Sequence, residues 1–279
     1  MPGIRLVTDS AADLDRDDMT ARGVTIVNLD VRLGEIGPEI TKDWRPEEFW
    51  LQCSKSDVLP ETSAPSPGAF QTAFQAAKQS GADGVVCVTM SSKLSATYQA
   101  AVAGADAMSA EIPVVVVDSL SITMGEGMGV LAGQETAEGG GDLKAVEEAT
   151  RAALAKSRVF GAFDTLDNLR KGGRIGGAQA FVGSLLSIKP IIEVREGLVE
   201  PESRQRTRSR SIQYLADKVR DAGPLRRLAV MHAAAPDVDT LVNLVAESFE
   251  RDKILVTYIG PVIGTHAGPG TVGVCFELA

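Results

Sequence analysis

Val85-Val86-Cys87-Val88-Thr89-Met90-Ser91-Ser92-Lys93-Leu94-Ser95-Ala96-Thr97-Tyr98-Gln99 reads as strand, polar loop and helix start. Four consecutive apolar residues between turn signals are the pattern of a strand buried on both faces of a parallel sheet. The same order recurs at Val114-Val115-Val116-Val117, which ends in Asp118-Ser119, and at Ile4-Arg5-Leu6-Val7, which ends in Thr8-Asp9-Ser10. Strand, polar loop and helix in repetition is the α/β signature. Ligands in such sheets gather at the carboxyl ends of the strands. Residues 8–10, 91–95 and 118–123 therefore mark where a ligand belongs.

A second polar loop, Glu61-Thr62-Ser63-Ala64-Pro65-Ser66-Pro67-Gly68-Ala69-Phe70, runs straight into a helix. Ser66 suits the N-cap and Pro67 the first helical position, where a missing N–H does no harm. Phe70, Phe74 and Ala77 lie on one face at helical spacing. The hydroxyls of Thr62 and Ser63 beside a helix N-terminus would make a seat for an anion. A merely well-capped helix explains the same residues.

The spacing predicts a helix over 13–22 closed by Gly23, a strand over 24–33 and a helix over 46–53. Further helices are expected at 67–80 and, capped by Asp142, up to about 157. Gly139-Gly140-Gly141 is the strongest composition break, and a second unit is expected after it, giving domains 1–157 and 158–279. In the second part a strand over 159–163, helices over 164–170 and 178–186, and a hairpin turning at Glu196-Gly197 are expected. A helix over 211–222, a strand over 228–231, a helix over 238–251 and strands over 254–259 and 272–278 follow. Residues 260–270 read as a glycine-rich loop holding His266.

The 279 residues are 44% hydrophobic and 5% aromatic, a globular composition with a core of Val, Ile, Leu and Ala. A net charge of −9 argues against nucleic-acid binding. No apolar run reaches the roughly 18 residues of a membrane span, and the first residues lack a signal-peptide layout. Three scattered cysteines, Cys53, Cys87 and Cys275, read as reduced thiols of a cytoplasmic protein. With two histidines, His232 and His266, a His-rich metal site is excluded by count.

Gly125-Glu126-Gly127-Met128-Gly129 follows a strand, but Val130 stands where a dinucleotide fingerprint needs glycine, and no Walker lysine motif exists. Close helix packing accounts for these glycines more simply. A serine nucleophile with His266 as base lacks both a G-x-S-x-G elbow and an Asp tied to the His. Arg204, Arg206, Arg208 and Arg210 alternate, so an extended stretch would put them on one side. With Arg170, Lys171 and Arg174 they could form a basic patch for phosphate or an acidic partner.

Seven stretches in order resemble the DegV family: residues 7–14, 62–66, 91–99, 117–119, 169–175, 188–190 and 264–270. The resemblance covers essentially the whole chain. It implies a bacterial fatty-acid-binding protein of two α/β domains, the first with a parallel sheet, and an acyl-chain pocket between them. It implies a palmitate- or oleate-like fatty acid as ligand, no cofactor, and no autonomous catalysis. It also implies a fatty acid kinase as partner, which phosphorylates the presented carboxylate on the way to phospholipids. Carried over by motif, Thr62 and Ser95 are expected to hold the carboxylate, with Ser92 and His266 near the head group. Arg206, by its place after the hairpin, and His266 are expected to serve kinase docking or phosphoryl transfer. One departure is Ala96, where many members have Gly. The rival readings are a serine hydrolase or acyltransferase using Ser95 and His266, and a nucleotide or sugar-phosphate binder.

Overall fold

The structure is a computed structural model that describes residues 3–181 and 188–279. Its elements run in chain order as β1 (Ile4–Asp9), α1 (Arg16–Ala21), β2 (Thr25–Val27), β3 (Asp30–Arg32), α2 (Pro38–Thr41), α3 (Pro46–Cys53) and β4 (Glu61–Ser63). Next come α4 (Pro67–Gln79), β5 (Gly84–Thr89), α5 (Thr97–Asp106), β6 (Val114–Asp118), α6 (Met124–Glu138) and α7 (Leu143–Lys156). The remainder is β7 (Ser157–Ala162), α8 (Asp167–Lys171), β8 (Lys189–Arg195), β9 (Leu198–Gln205), α9 (Arg208–Asp221), β10 (Leu225–His232), α10 (Val238–Val245), β11 (Ile254–Tyr258), α11 (Pro261–Ala267) and β12 (Val272–Leu278).

These elements form two units. The first holds the chain up to Asp30 together with Ser63–Ala155. Its four strands are all parallel, in the order β2-β1-β5-β6. One face of the sheet packs Val7, Val85 and Cys87 against Phe70, Ala73, Phe74 and Ala77 of α4 and Ala101 of α5. The helical spacing of that α4 stripe is what the sequence pattern required. The opposite face takes α6, which is buried from Met124 to Gln134. Its glycines are a packing device: a Cβ on Gly129 would lie 2.6 Å from Leu154 of α7, and one on Gly133 would strike Thr150.

Sheet order makes β1 and β5 neighbours although the chain leaves β1 toward β2 and returns later on the other side. That is a topological switch point, where diverging loops leave a crevice at the carboxyl ends.

The second unit holds Val31–Thr62 and Lys156–Ala279. The excursion 31–62 thus departs from the expected undivided 1–157 domain. Its anchor is aromatic: Phe49 and Trp50 are buried, edge to face at 5.0 Å, and Trp50 Nε1–H donates to the Ile259 carbonyl at 3.0 Å. The six-stranded sheet runs β11-β10-β12-β7-β8-β9, antiparallel except for β10 with β11. Leu215, Ala216 and Val219 of α9 and Leu241 and Val245 of α10 pack on Phe160, Val230, Val274 and Phe276. The β8–β9 turn has Glu196 at φ 49° and Gly197 at φ 81°, the left-handed pair a tight hairpin demands.

Several boundaries differ from expectation. Residues 24–33 give two strands, because the chain leaves β2 for a separate two-stranded pairing of β3 with β4. The first helix starts at Arg16, since Asp13 takes φ 53° after a short 3-10 turn. The helix expected over 238–251 ends at Val245. Residues 261–267 form α11 rather than a loop, with Pro261 in its first turn. Of the helix expected over 178–186, residues 178–181 belong to a 3-10 turn and 182–186 lie outside the described residues. Cys87 and Cys275 are buried and Cys53 partly so, all three as free thiols. Among the described residues no helix is long and apolar enough to cross a membrane.

Candidate functional site

In the first unit the expected residues sit in the loop after β5. Ser92 donates its backbone N–H to Asp118 Oδ1 at 3.1 Å, and Ser91 N–H donates to the Ser121 carbonyl at 2.8 Å. Asp118 Oδ1 also accepts from Leu120 N–H at 3.0 Å, so one carboxylate ties the loops after β5 and β6. Ser95 Oγ lies 2.8 Å from Thr97 Oγ1 and accepts from Thr97 N–H at 3.3 Å, just before α5 begins. Ser92 and Ser95 are both half-buried. Asp9 closes the other side: its oxygens accept from Ala11 N–H at 2.8 Å and Met90 N–H at 2.9 Å.

In the second unit Thr62 Oγ1 and His266 Nε2 are 2.9 Å apart. Thr62 is thus a strand residue of β4 whose hydroxyl is engaged with an imidazole, which the expected anion seat beside the α4 N-terminus did not include. The cap on α4 is Ser66 itself, accepting from Ala69 N–H at 3.2 Å. His266 lies in the last turn of α11, which Asn168 braces by donating from Nδ2 to the Thr265 carbonyl at 3.2 Å. Gly172 gives the ring room, since a Cβ there would strike Nδ1. Burial, aided by the Arg174 cation, pushes the imidazole down to about 4. His266 is therefore neutral at physiological pH.

Nδ1 of His266 is buried with no hydrogen-bond partner among the described residues. A buried lone pair is better tolerated there than an orphaned N–H. That favours the tautomer with the proton on Nε2, donating to Thr62 Oγ1. The Thr62 hydroxyl then keeps its own proton for another acceptor. The same geometry speaks against a hydrolytic dyad. The hydroxyl on His266 is that of Thr62, Ser95 lies against Thr97 and not against an imidazole, and among the described residues no carboxylate orients Nδ1.

The arginine run does not form one extended face. Arg204 belongs to β9, with its guanidinium 4.6 Å above the Phe181 ring, and Arg208 opens α9 in a two-pronged pair with Asp237 at 2.8 and 2.9 Å. The strand ends at Gln205, which breaks the period-two alternation. Arg206 is exposed in the connection between the two elements. Among the described residues no group of three or more His, Cys, Asp or Glu could hold a metal ion.

Asp9 and Asp118 fall in stretches expected to border a ligand but carried no individual role in the sequence, and Asn168 stood in none of those stretches. For the first two the available signal was position, each being the last residue of a parallel strand. Asn168 carried no local signal, because its partner lies 97 residues away.

The model of the DegV family of uncharacterised proteins matches residues 3–279. A DegV domain-containing protein of Streptomyces coelicolor is 39% identical over 97% of both chains. A Thermus thermophilus structure described as fatty acid binding of a DegV family protein is similar with a TM-score of 0.87 and 32% identity, covering 99% of this chain and 100% of its own. The Bacillus subtilis structure described as DegV, a fatty acid binding protein, has a TM-score of 0.86 and 27% identity over the full length of both. The fold, the ordered motifs and these full-length likenesses agree, and the chain belongs to the DegV family.

Proposed function

We propose that this chain binds a long-chain fatty acid and presents its carboxylate to a fatty acid kinase, which makes the acyl phosphate. The observation that carries the binding half is the full-length likeness, at 32% identity, to a Thermus thermophilus protein described as fatty-acid-binding. The physics fits such a ligand. Burying roughly ten methylenes contributes about 8 kcal/mol before ordering costs. A carboxylate withdrawn from water needs hydrogen-bond donors to offset a loss of several kcal/mol.

Each unit offers such donors separately. The first has Ser92 and Ser95 at the carboxyl end of β5; the second has Thr62, whose hydroxyl proton is left available by the neutral His266. Neutral donors hold a carboxylate without the tight clamp of an arginine, so an oxygen stays available to attack a phosphoryl group. Exposed Arg206 suits contact with an acidic kinase surface or a transferring phosphate.

The test is fatty-acid affinity with Thr62→Ala and Ser95→Ala. Each is expected to weaken binding roughly tenfold or more, the range for hydrogen bonds to a charged group. Unchanged affinity in the double variant removes both residues from the head-group site. Arg206→Glu is expected to lower kinase-dependent phosphorylation of bound fatty acid more than binding itself. Equal loss of both assigns Arg206 to binding or stability instead.

A further inference from the structure

Asp9 is fully buried at the β1–β5 switch point. Among the described residues it makes no ion pair, an unusual position for a carboxyl group. Instead each oxygen takes one backbone N–H, Ala11 on its own side and Met90 across the switch point. An ionised carboxylate accepts strongly at both oxygens; protonation weakens one acceptor, and an amide turns an NH₂ toward one of the donors. Met90 opens the loop that ends at Ser95. That loop hangs from Asp9 at its start and from Asp118 and Ser121 at Ser92 and Ser91.

Resting on the carrier reading above, we infer that Asp9 is a positioning residue: by accepting from Met90, its ionised carboxylate holds the 90–95 loop in the shape that offers Ser92 and Ser95 to the ligand head group. Asp118 fixes the far side of the same loop from a partly exposed place. Asp9 does so from full burial, where its charge state is open to control. Burial raises its carboxyl to about 6, against the pull of the Met90 and Ala11 N–H groups. The ionisable groups coupled to it are Glu126 on α6 and Cys87 on β5, with Asp13, in the turn after β1, acting on Glu126 in turn, and none of them is a cation. Burial and the Asp9 charge push both Cys87 and Glu126 well up. Protonating Asp9 weakens an acceptor and loosens the loop from β1 without removing any serine.

The experiment uses the full chain and cis-parinaric acid as fluorescent probe, with wild type and Asp9→Asn compared from pH 7.5 to pH 5. At pH 7.5 the variant is expected to bind roughly tenfold more weakly. The ratio of the two affinities should close toward one near pH 5, where the wild-type carboxyl is protonated. Titration of the probe acts on both proteins alike and cancels in the ratio. A merely structural role gives a ratio that does not change with pH, and that result overturns the inference. A second measurement needs no variant: the ¹⁵N–¹H resonance of Met90 in wild type should titrate with a midpoint near 6. A flat Met90 resonance overturns the inference even if Asp9→Asn does not fold. A wild type that binds no probe overturns the carrier reading, and the ligand half of this inference with it, whatever Met90 does.

Discussion

At the residue scale, half-buried His266 and fully buried Asp9 give stability terms of opposite sign. Folded His266 holds its imidazole near 4 while an unfolded histidine titrates near 6.5. Between those values the unfolded chain binds more protons. The His266 contribution is therefore full above about pH 6.5 and lost as pH falls toward 4. His266→Gln should flatten this part of the acid limb in denaturant melts taken from pH 7 to pH 4; an unchanged limb places the imidazole in water. Asp9 runs the other way. Its folded carboxyl keeps a proton to about 6 against an ordinary 3.8, so its contribution is full below about pH 4 and falls as pH rises through 6. The swing is about 3 kcal/mol at most. The melting temperature of Asp9→Asn relative to wild type is thus expected to improve from pH 5 to pH 7.5. A variant that falls further behind wild type as pH rises contradicts the assignment. Stability and loop positioning pull against each other at this residue, as is common where function fixes a buried charge.

At the element scale, α11 shows how a helix can be hidden from local pattern. Gly260, Gly264, Gly268 and Gly270 read as loop residues, and only Pro261 hints at a helix start. Gly264 is inside the helix because a Cβ there would sit 2.6 Å from the Trp50 ring and 3.2 Å from Phe49. The constraint comes from a residue over two hundred positions away, which no local window contains. By contrast α3 is seen at its expected bounds, 46–53, and the Ser66 cap and Pro67 start of α4 are as expected, since their signals are local. Gly264→Ala should lower stability by about 1–3 kcal/mol through overpacking against Trp50. It should also weaken fatty-acid binding, because it shifts the helix that carries His266. Full stability would mean that α11 has slack the packing does not show. Gly104→Ala offers an equivalent test in the first unit. Its Cβ would meet the Pro67 carbonyl at 2.8 Å and Phe70 Cβ at 2.9 Å, and a backbone atom cannot rotate away.

At the scale of the whole molecule, the α/β class and the parallel first sheet were legible from Val85–Val88, Val114–Val117 and their polar loops. The return of residues 31–62 to the second unit was not, because it rests on the tertiary anchor of Phe49 and Trp50. Likewise Thr62, Ser92, Ser95 and His266 could be picked out as chemistry-bearing residues. Pairing Thr62 with His266 needed the fold, since 204 residues separate them. Whether this chain carries a fatty acid is tested by native mass spectrometry of the purified protein, followed by analysis of its organic extract. A stoichiometric mass excess of one fatty acid is expected, with the acyl chain identified in the extract. A bare protein that also takes up neither added palmitate nor added oleate would contradict it.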